Sequence, residues 1–118
     1  MKSENIIQQK SYDFALRITA FCYALQTSKK EYILTRQLLK SGTSVGANIE
    51  EAIGGQSRRD FYMKLTISYK EARESLYWLR LLRDTEMAEH ESTNALILDC
   101  EELLRIIGAI QNTMKRNQ

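Results

Sequence analysis

Apolar residues recur along this chain at helical spacing in four separate segments. In the first, Ile7, Ser11, Phe14, Ile18, Phe21 and Leu25 step by 4, 3, 4, 3, 4 and so fall on one stripe of a helix from about Glu4 to Thr27. Thr27, Ser28, Lys29 and Lys30 form a short polar connection. A second helix starts near Glu31, with Leu34, Leu38, Val45, Ile49 and Ala52 on a shared face. Gly54 and Gly55 follow it, as expected just past a helix C-terminus. Ser57 with Asp60 three residues on resembles a capping box at the start of a third helix. Its seam is Phe61, Leu65, Ser68, Ala72, Ser75, Leu79 and Leu82. A polar stretch from Asp84 to Glu91 leads to a fourth helix, with Ser92 or Thr93 as the expected N-cap. There Leu96, Cys100, Leu103, Ile107, Ile110 and Met114 form the stripe, widened by Ile97, Leu104 and Ile106. Four such helices with short connections predict an all-α, antiparallel up-down-up-down four-helix bundle, one domain over residues 1–118.

Two features break the simple pattern. Ser41-Gly42-Thr43-Ser44-Val45-Gly46-Ala47 is a run of small residues inside the second helix. Glycine costs ~1 kcal/mol relative to alanine in a helix interior, so two of them call for a close helix approach or a kink. The second feature is the end of the third helix. Leu76, Tyr77, Trp78, Leu79, Leu81 and Leu82 nearly surround it. A helix apolar on all sides is buried on more than one side. Tyr77, Trp78 and Leu81 are therefore the expected surface of an oligomer; the competing reading leaves them as single exposed aromatics, which need no explanation.

Composition narrows the class. The chain has 118 residues, no proline and 5 glycines, which argues against an all-β protein built on turns. It is long enough to bury roughly two-thirds of its unfolded surface, so folding requires no metal or disulfide. No apolar run approaches the ~20 residues of a membrane span, and the N-terminus has no signal-peptide core, so the expected location is the cytoplasm. Cys22 and Cys100 sit inside apolar helical patterns and read there as small buried hydrophobes.

Catalytic and cofactor motifs are scarce. The one histidine, His90, falls in the acidic connection, outside the Glu-x-x-His spacing of di-iron bundles. Two distant cysteines make no zinc pattern. The small-residue run lacks the Gly-Lys-Ser/Thr ending of a phosphate loop. Neither an enzyme activity nor a metal or cofactor is expected. Asn48, Glu51, Lys70, Arg73 and Glu74 lean inward on the second and third helices. Carboxylates flanked by Lys and Arg more often pair than catalyse, so these five are expected to form an interhelical polar network.

Charge is polarised although the net value is only +2. Residues 54–83 carry Arg58, Arg59, Lys64, Lys70, Arg73, Arg80 and Arg83 against three acids, whereas residues 84–102 carry seven acids and no Lys or Arg. Arg58, Arg59 and Lys64, with Tyr62 interleaved, could hold phosphates and stack bases. The plainer reading is a solvated helix start. Repetition of the cluster around an oligomer axis would strengthen its field.

Several segments together resemble a known family. They are Ser11-Tyr12-Asp13-Phe14-Ala15, the run from Gln37 to Ala52, Asp60-Phe61, Lys70-Glu71-Ala72-Arg73-Glu74 and Tyr77-Trp78-Leu79. They resemble the bacterial four-helix-bundle proteins encoded in intervening sequences of 23S rRNA genes, over residues 5 to about 115. The resemblance implies an antiparallel bundle assembled as a ring, commonly a pentamer, with no established catalysis. The family is in turn similar to retroelement accessory bundles, which bind a reverse transcriptase and nucleic acid. The expected function is a non-enzymatic homo-oligomer that binds structured RNA or a nucleic-acid enzyme acting on it. The alternative is a protein scaffold that binds no nucleic acid.

Overall fold

The computed structural model describes residues 2–117, with side chains from residue 5 onward. Four helices account for nearly all of them: α1 (Lys2–Lys29), α2 (Ile33–Ile53), α3 (Arg58–Asp84) and α4 (His90–Arg116). No strand occurs among the described residues. The body is a rod of 48 × 20 × 19 Å. Each helix packs on its chain neighbours, and α4 closes the set against α1, while α1 and α3 lie on one diagonal and α2 and α4 on the other.

The cross-helix contacts run in descending register. Gln26 bonds Thr35, Ile18 lies on Gly42, Ser11 on Gly46, and Gln8 bonds Glu50. From α2 to α3, Ser41 pairs with Ser75, the Val45 carbonyl accepts from Ser68, and Glu51 pairs with Lys64. From α3 to α4, Arg83 bonds Asn94, Ala72 lies on Cys100, and Thr66 bonds Gln111.

The core follows the predicted stripes with two shifts; in α2, Thr35 is buried and Leu34 lies on the flank. In α1 the buried set is Ile7, Ser11, Phe14, Ile18, Cys22 and Leu25, and Phe21 moves to the flank. A heptad seam favours position 21. A straight helix of 3.6 residues per turn drifts away from a heptad and brings position 22 inward. The α3 seam is buried from Leu65 to Leu82, with Phe61 half-buried at its start. The Ser57 hydroxyl accepts from the Asp60 N–H at 3.1 Å, so the third helix is capped as its sequence predicts.

The other ends differ from expectation. α1 runs on through Thr27, Ser28 and Lys29 and stops at Lys30, whose φ of 56° is left-handed. The Glu31 carboxylate then accepts from the N–H groups of Ile33, Leu34 and Thr35. α4 begins at His90, not at Ser92 or Thr93. Its cap is Glu89, whose carboxylate accepts from Ser92 N–H at 3.3 Å. Thr93 is fully buried beneath the first turn, with its hydroxyl donating to the Glu89 carbonyl at 2.5 Å. A glutamate cap supplies the acceptor and a favourable charge at a helix N-terminus. Its long side chain makes it a poor sequence signal.

The glycines of α2 answer to close approach. A Cβ on Gly42 would lie 2.8 Å from Ile18 Cγ2, and one on Gly46 would lie 3.2 Å from the Ser11 carbonyl oxygen. α1 and α2 therefore pack nearly backbone to backbone along this stretch. The α2–α3 contact is lined by serines. Ser41 and Ser75 hydroxyls bond each other at 2.8 Å, and Ser68 donates to the Val45 carbonyl at 2.9 Å. Every buried side-chain polar atom among the described residues has a partner. Small hydroxyls thus bring the helices together without leaving a buried group unsatisfied.

Candidate nucleic-acid interface

The first turn of α3 lies beside the last turn of α4. Arg58 marks the contact: its Nη2 donates to the Met114 carbonyl at 2.7 Å. Carbonyls of the last helical turn lack intrahelical partners, and a cation there also suits the helix dipole. Arg58 is thus explained in part as a cap on α4. Arg59 is exposed and has no ionic partner among the described residues. Lys64 does not join them. Its ammonium pairs with Glu51 at 2.6 Å, one and a half turns along and on the side facing α2. Of the three expected phosphate contacts, the structure keeps Arg58 and Arg59 together and diverts Lys64 into an ion pair.

Two cations not expected from the sequence join the first two. Lys115 and Arg116, both exposed, end α4 beside the start of α3. They are far from Arg58 in sequence and reach it only through the α3–α4 contact. Their place in the last turn was readable as a match to the dipole, but their nearness to Arg58 was not. An open groove of about 650 Å³ runs here, lined by Arg58, Arg59, Tyr62, Met63, Met114 and Asn117. Tyr62 is half-buried against it. Such a groove offers guanidinium donors, one aromatic face and the flexible thioethers of two methionines. That set suits a polyanion carrying planar groups. A neighbouring, more apolar groove of about 590 Å³ lies between the end of α2, the start of α3 and the last turns of α4.

The expected interhelical network does not assemble as predicted. Asn48 bonds back to the Ser44 carbonyl within α2. Glu74 accepts from the Trp78 indole N–H at 3.0 Å within α3. Lys70 and Arg73 are exposed and make no ion pair among the described residues. Only Glu51 bridges helices, to Lys64. At positions 70 and 73 the long cationic side chains extend into water, where an exposed pair would gain little, and between α2 and α3 the serines carry the buried interhelical bonding. Glu71 carries a raised pKa, chiefly from burial and then from the nearby Glu74 charge, with Lys40 and Lys70 opposing. Burial also pushes both thiols up to about 12, Cys22 in α1 and Cys100 in α4, and both are free. A thiol held so far above neutrality is not a nucleophile. His90, at the first position of α4, is exposed. No group of three or more His, Cys, Asp or Glu among the described residues could hold a metal ion. No described helix is long and apolar enough to cross a membrane.

The expected oligomer surface is partly outward. Tyr77 is 54% exposed and stacks edge-on with Trp78 at 5.0 Å between ring centroids. Leu81 is half-buried, and Trp78 packs partly against the core. Met63 and Ile67 are exposed on the same side of α3, two positions that inspection of its C-terminal end alone did not single out.

The fold and these surfaces define an all-α four-helix protein with a cationic end. Its family follows from comparison with known proteins. The model of the 23S rRNA-intervening sequence proteins matches residues 3–109, and the chain belongs to that family. It is similar to a crystal structure from Bacteroides thetaiotaomicron VPI-5482, a protein of unknown function from the S23 ribosomal protein family. The two share 41% identity over 93% of this chain and 98% of the other, with a TM-score of 0.91. No curated protein matches the chain.

Proposed function

We propose that this chain is a non-enzymatic, cytoplasmic helical bundle of up-down-up-down topology that assembles with copies of itself and binds structured RNA. The descending register of contacts around the four helices supports the topology. The observation that carries the RNA reading is that Arg58 and Arg59 line the groove that holds Tyr62, with Lys115 and Arg116 in the adjoining last turn of α4. Four cations at one end of a rod only about 20 Å wide make a compact phosphate footprint. An oligomer repeats that footprint, so modest net charge per copy becomes a strong local field. The apolar outward side of α3, with Met63, Ile67, Tyr77 and Leu81, supports self-assembly.

The test is fluorescence anisotropy with a structured RNA and variants that spare the helix caps. Arg59→Glu with Lys115→Glu leaves the Arg58 bond to Met114 in place and reverses two charges of the footprint. Weaker binding and a shallower salt dependence support the reading. Unchanged binding removes this end of the bundle from it. Absence of binding by the parent protein at low salt favours the alternative, a scaffold whose partner is a protein.

A further inference from the structure

The end of the bundle that carries Arg58 also holds the more apolar of the two grooves. Its walls are Ala52 and Ile53 of α2, Phe61 of α3, and Ile106, Ala109 and Ile110 of α4. The α4 wall continues to Asn117, a length of ~16 Å at 1.5 Å per residue. A volume of about 590 Å³ is that of a small-molecule site. The hydroxyls along it are engaged by the protein's own backbone. Ser57 Oγ accepts from the Asp60 N–H, and Thr113 donates to the Ala109 carbonyl at 3.0 Å. What the groove offers a ligand is therefore mainly hydrocarbon.

Arg58 is the one charged residue in that lining. With Met114 and Asn117 it also lines the cationic groove, so these three form the wall that the two grooves share. The guanidinium has five N–H donors in a planar fork. One goes to the Met114 carbonyl, and Arg58 makes no other hydrogen bond or ion pair among the described residues. Neither groove has an Asp or Glu in its lining, although the chain carries 15 acids. The small groove between α1 and α4 is the opposite case. Asp13, Asp99 and Glu102 line it, and its two cations, Lys10 and Arg17, are already paired there.

We propose that the apolar groove binds a medium-chain acyl carboxylate, with its chain along the α4 wall and its carboxylate on the Arg58 guanidinium. Aliphatic walls with engaged hydroxyls suit a hydrocarbon chain and give the polar edge of a ring little to bond. A wall of this length suits a chain the size of decanoate. A planar fork matches the two oxygens of a carboxylate. Arg59 on α3 and Lys115 and Arg116 on α4 lie in the adjoining turns, where their field favours an anion and opposes a cation. The site goes beyond the RNA reading and requires no RNA.

The experiment titrates the full chain, without RNA, with decanoate, octanoate, decanol and decyltrimethylammonium below their micelle-forming concentrations. Isoleucine-methyl NMR reads both affinity and place. Ile53, Ile106 and Ile110 line the groove, whereas Ile33 begins α2 at the far end of the bundle. Decanoate should shift the first three and leave Ile33 unmoved. Octanoate, two CH₂ groups shorter, should bind roughly tenfold more weakly. Decyltrimethylammonium should bind more weakly than decanol. Arg58→Gln should weaken decanoate by roughly three- to tenfold, as for a charge-assisted bond near solvent, and leave decanol unchanged. Ala109→Trp, at an exposed position, fills the groove and should abolish all of these shifts. Equal binding of decanoate and decyltrimethylammonium overturns the anion site. Shifts that include Ile33 mean adsorption along the whole surface and overturn it too. Absence of any shift, the result for a groove filled by a second copy or by another segment of the chain, overturns the proposal and leaves the RNA reading standing.

Discussion

Gly42 and Gly108 occupy the interiors of α2 and α4, and replacing each with alanine isolates the effect of crowding. Both substitutions gain the same helix propensity, ~1 kcal/mol. At Gly108 the nearest atom to the new methyl is Tyr69 Cε2 at 3.9 Å, an ordinary contact, so the gain is kept. At Gly42 the methyl meets Ile18 Cγ2 at 2.8 Å. Ile18 is fully buried, and its β-branched side chain has few rotamers to move into. Overpacking of this kind costs ~1–3 kcal/mol. Gly108→Ala should therefore stabilise by about 1 kcal/mol, and Gly42→Ala should fall between neutral and about 2 kcal/mol destabilising. The gap between them, ~1–3 kcal/mol, is the crowding term itself. Urea denaturation followed by helical circular dichroism measures it. All variants need one protein concentration, because the proposed self-association would add to apparent stability. A Gly42→Ala variant at least as stable as Gly108→Ala would refute the close approach of α1 and α2.

Three further outcomes follow from the same structure. Glu89→Ala should cost ~1 kcal/mol in urea denaturation through loss of the α4 cap, whereas Ser92→Ala should be nearly neutral; the reverse order would restore Ser92 as the cap. Cys22 and Cys100, with thiols pushed up to about 12, should not react with a chromogenic disulfide at mild alkaline pH until the protein is unfolded in urea. Rapid reaction of the folded protein would place them nearer the surface. Glu71 has a folded pKa above its ordinary value of 4.5, so its ionised form is disfavoured in the fold. That penalty is absent in acid and grows as pH rises through the carboxylate range. Glu71→Gln should stabilise the protein at neutral pH, with the gain shrinking as pH falls below that range. A gain independent of pH would assign the effect to packing instead.

The helices and most of the core were legible because helical periodicity records which face is buried. The α3 seam from Leu65 to Leu82 is buried as its spacing predicts. The two glycines of α2 called for a close approach or a kink, and in the structure both lie against α1. Ends and long-range partners were harder. Glu89 caps α4 with a side chain outside the usual capping set, and Thr27 to Lys29 looked like a turn because solvated polar residues serve both turns and exposed helix ends. The polar network failed for a related reason: face sharing says where Lys70, Arg73 and Glu74 point along α3, not whether water or a partner satisfies them. Of the cationic end, Arg58 and Arg59 could be seen as one cluster along the chain. Lys115 and Arg116 join them only through the α3–α4 contact, which local patterning does not encode.

The most direct test of the account is the affinity of the parent protein for a structured RNA across a salt series, at a measured assembled mass. Each phosphate neutralised contributes ~0.7–0.9 to the slope of log K against log salt. The account predicts a steep negative slope, reduced in Arg59→Glu/Lys115→Glu. No binding at low salt by a fully assembled protein would contradict it.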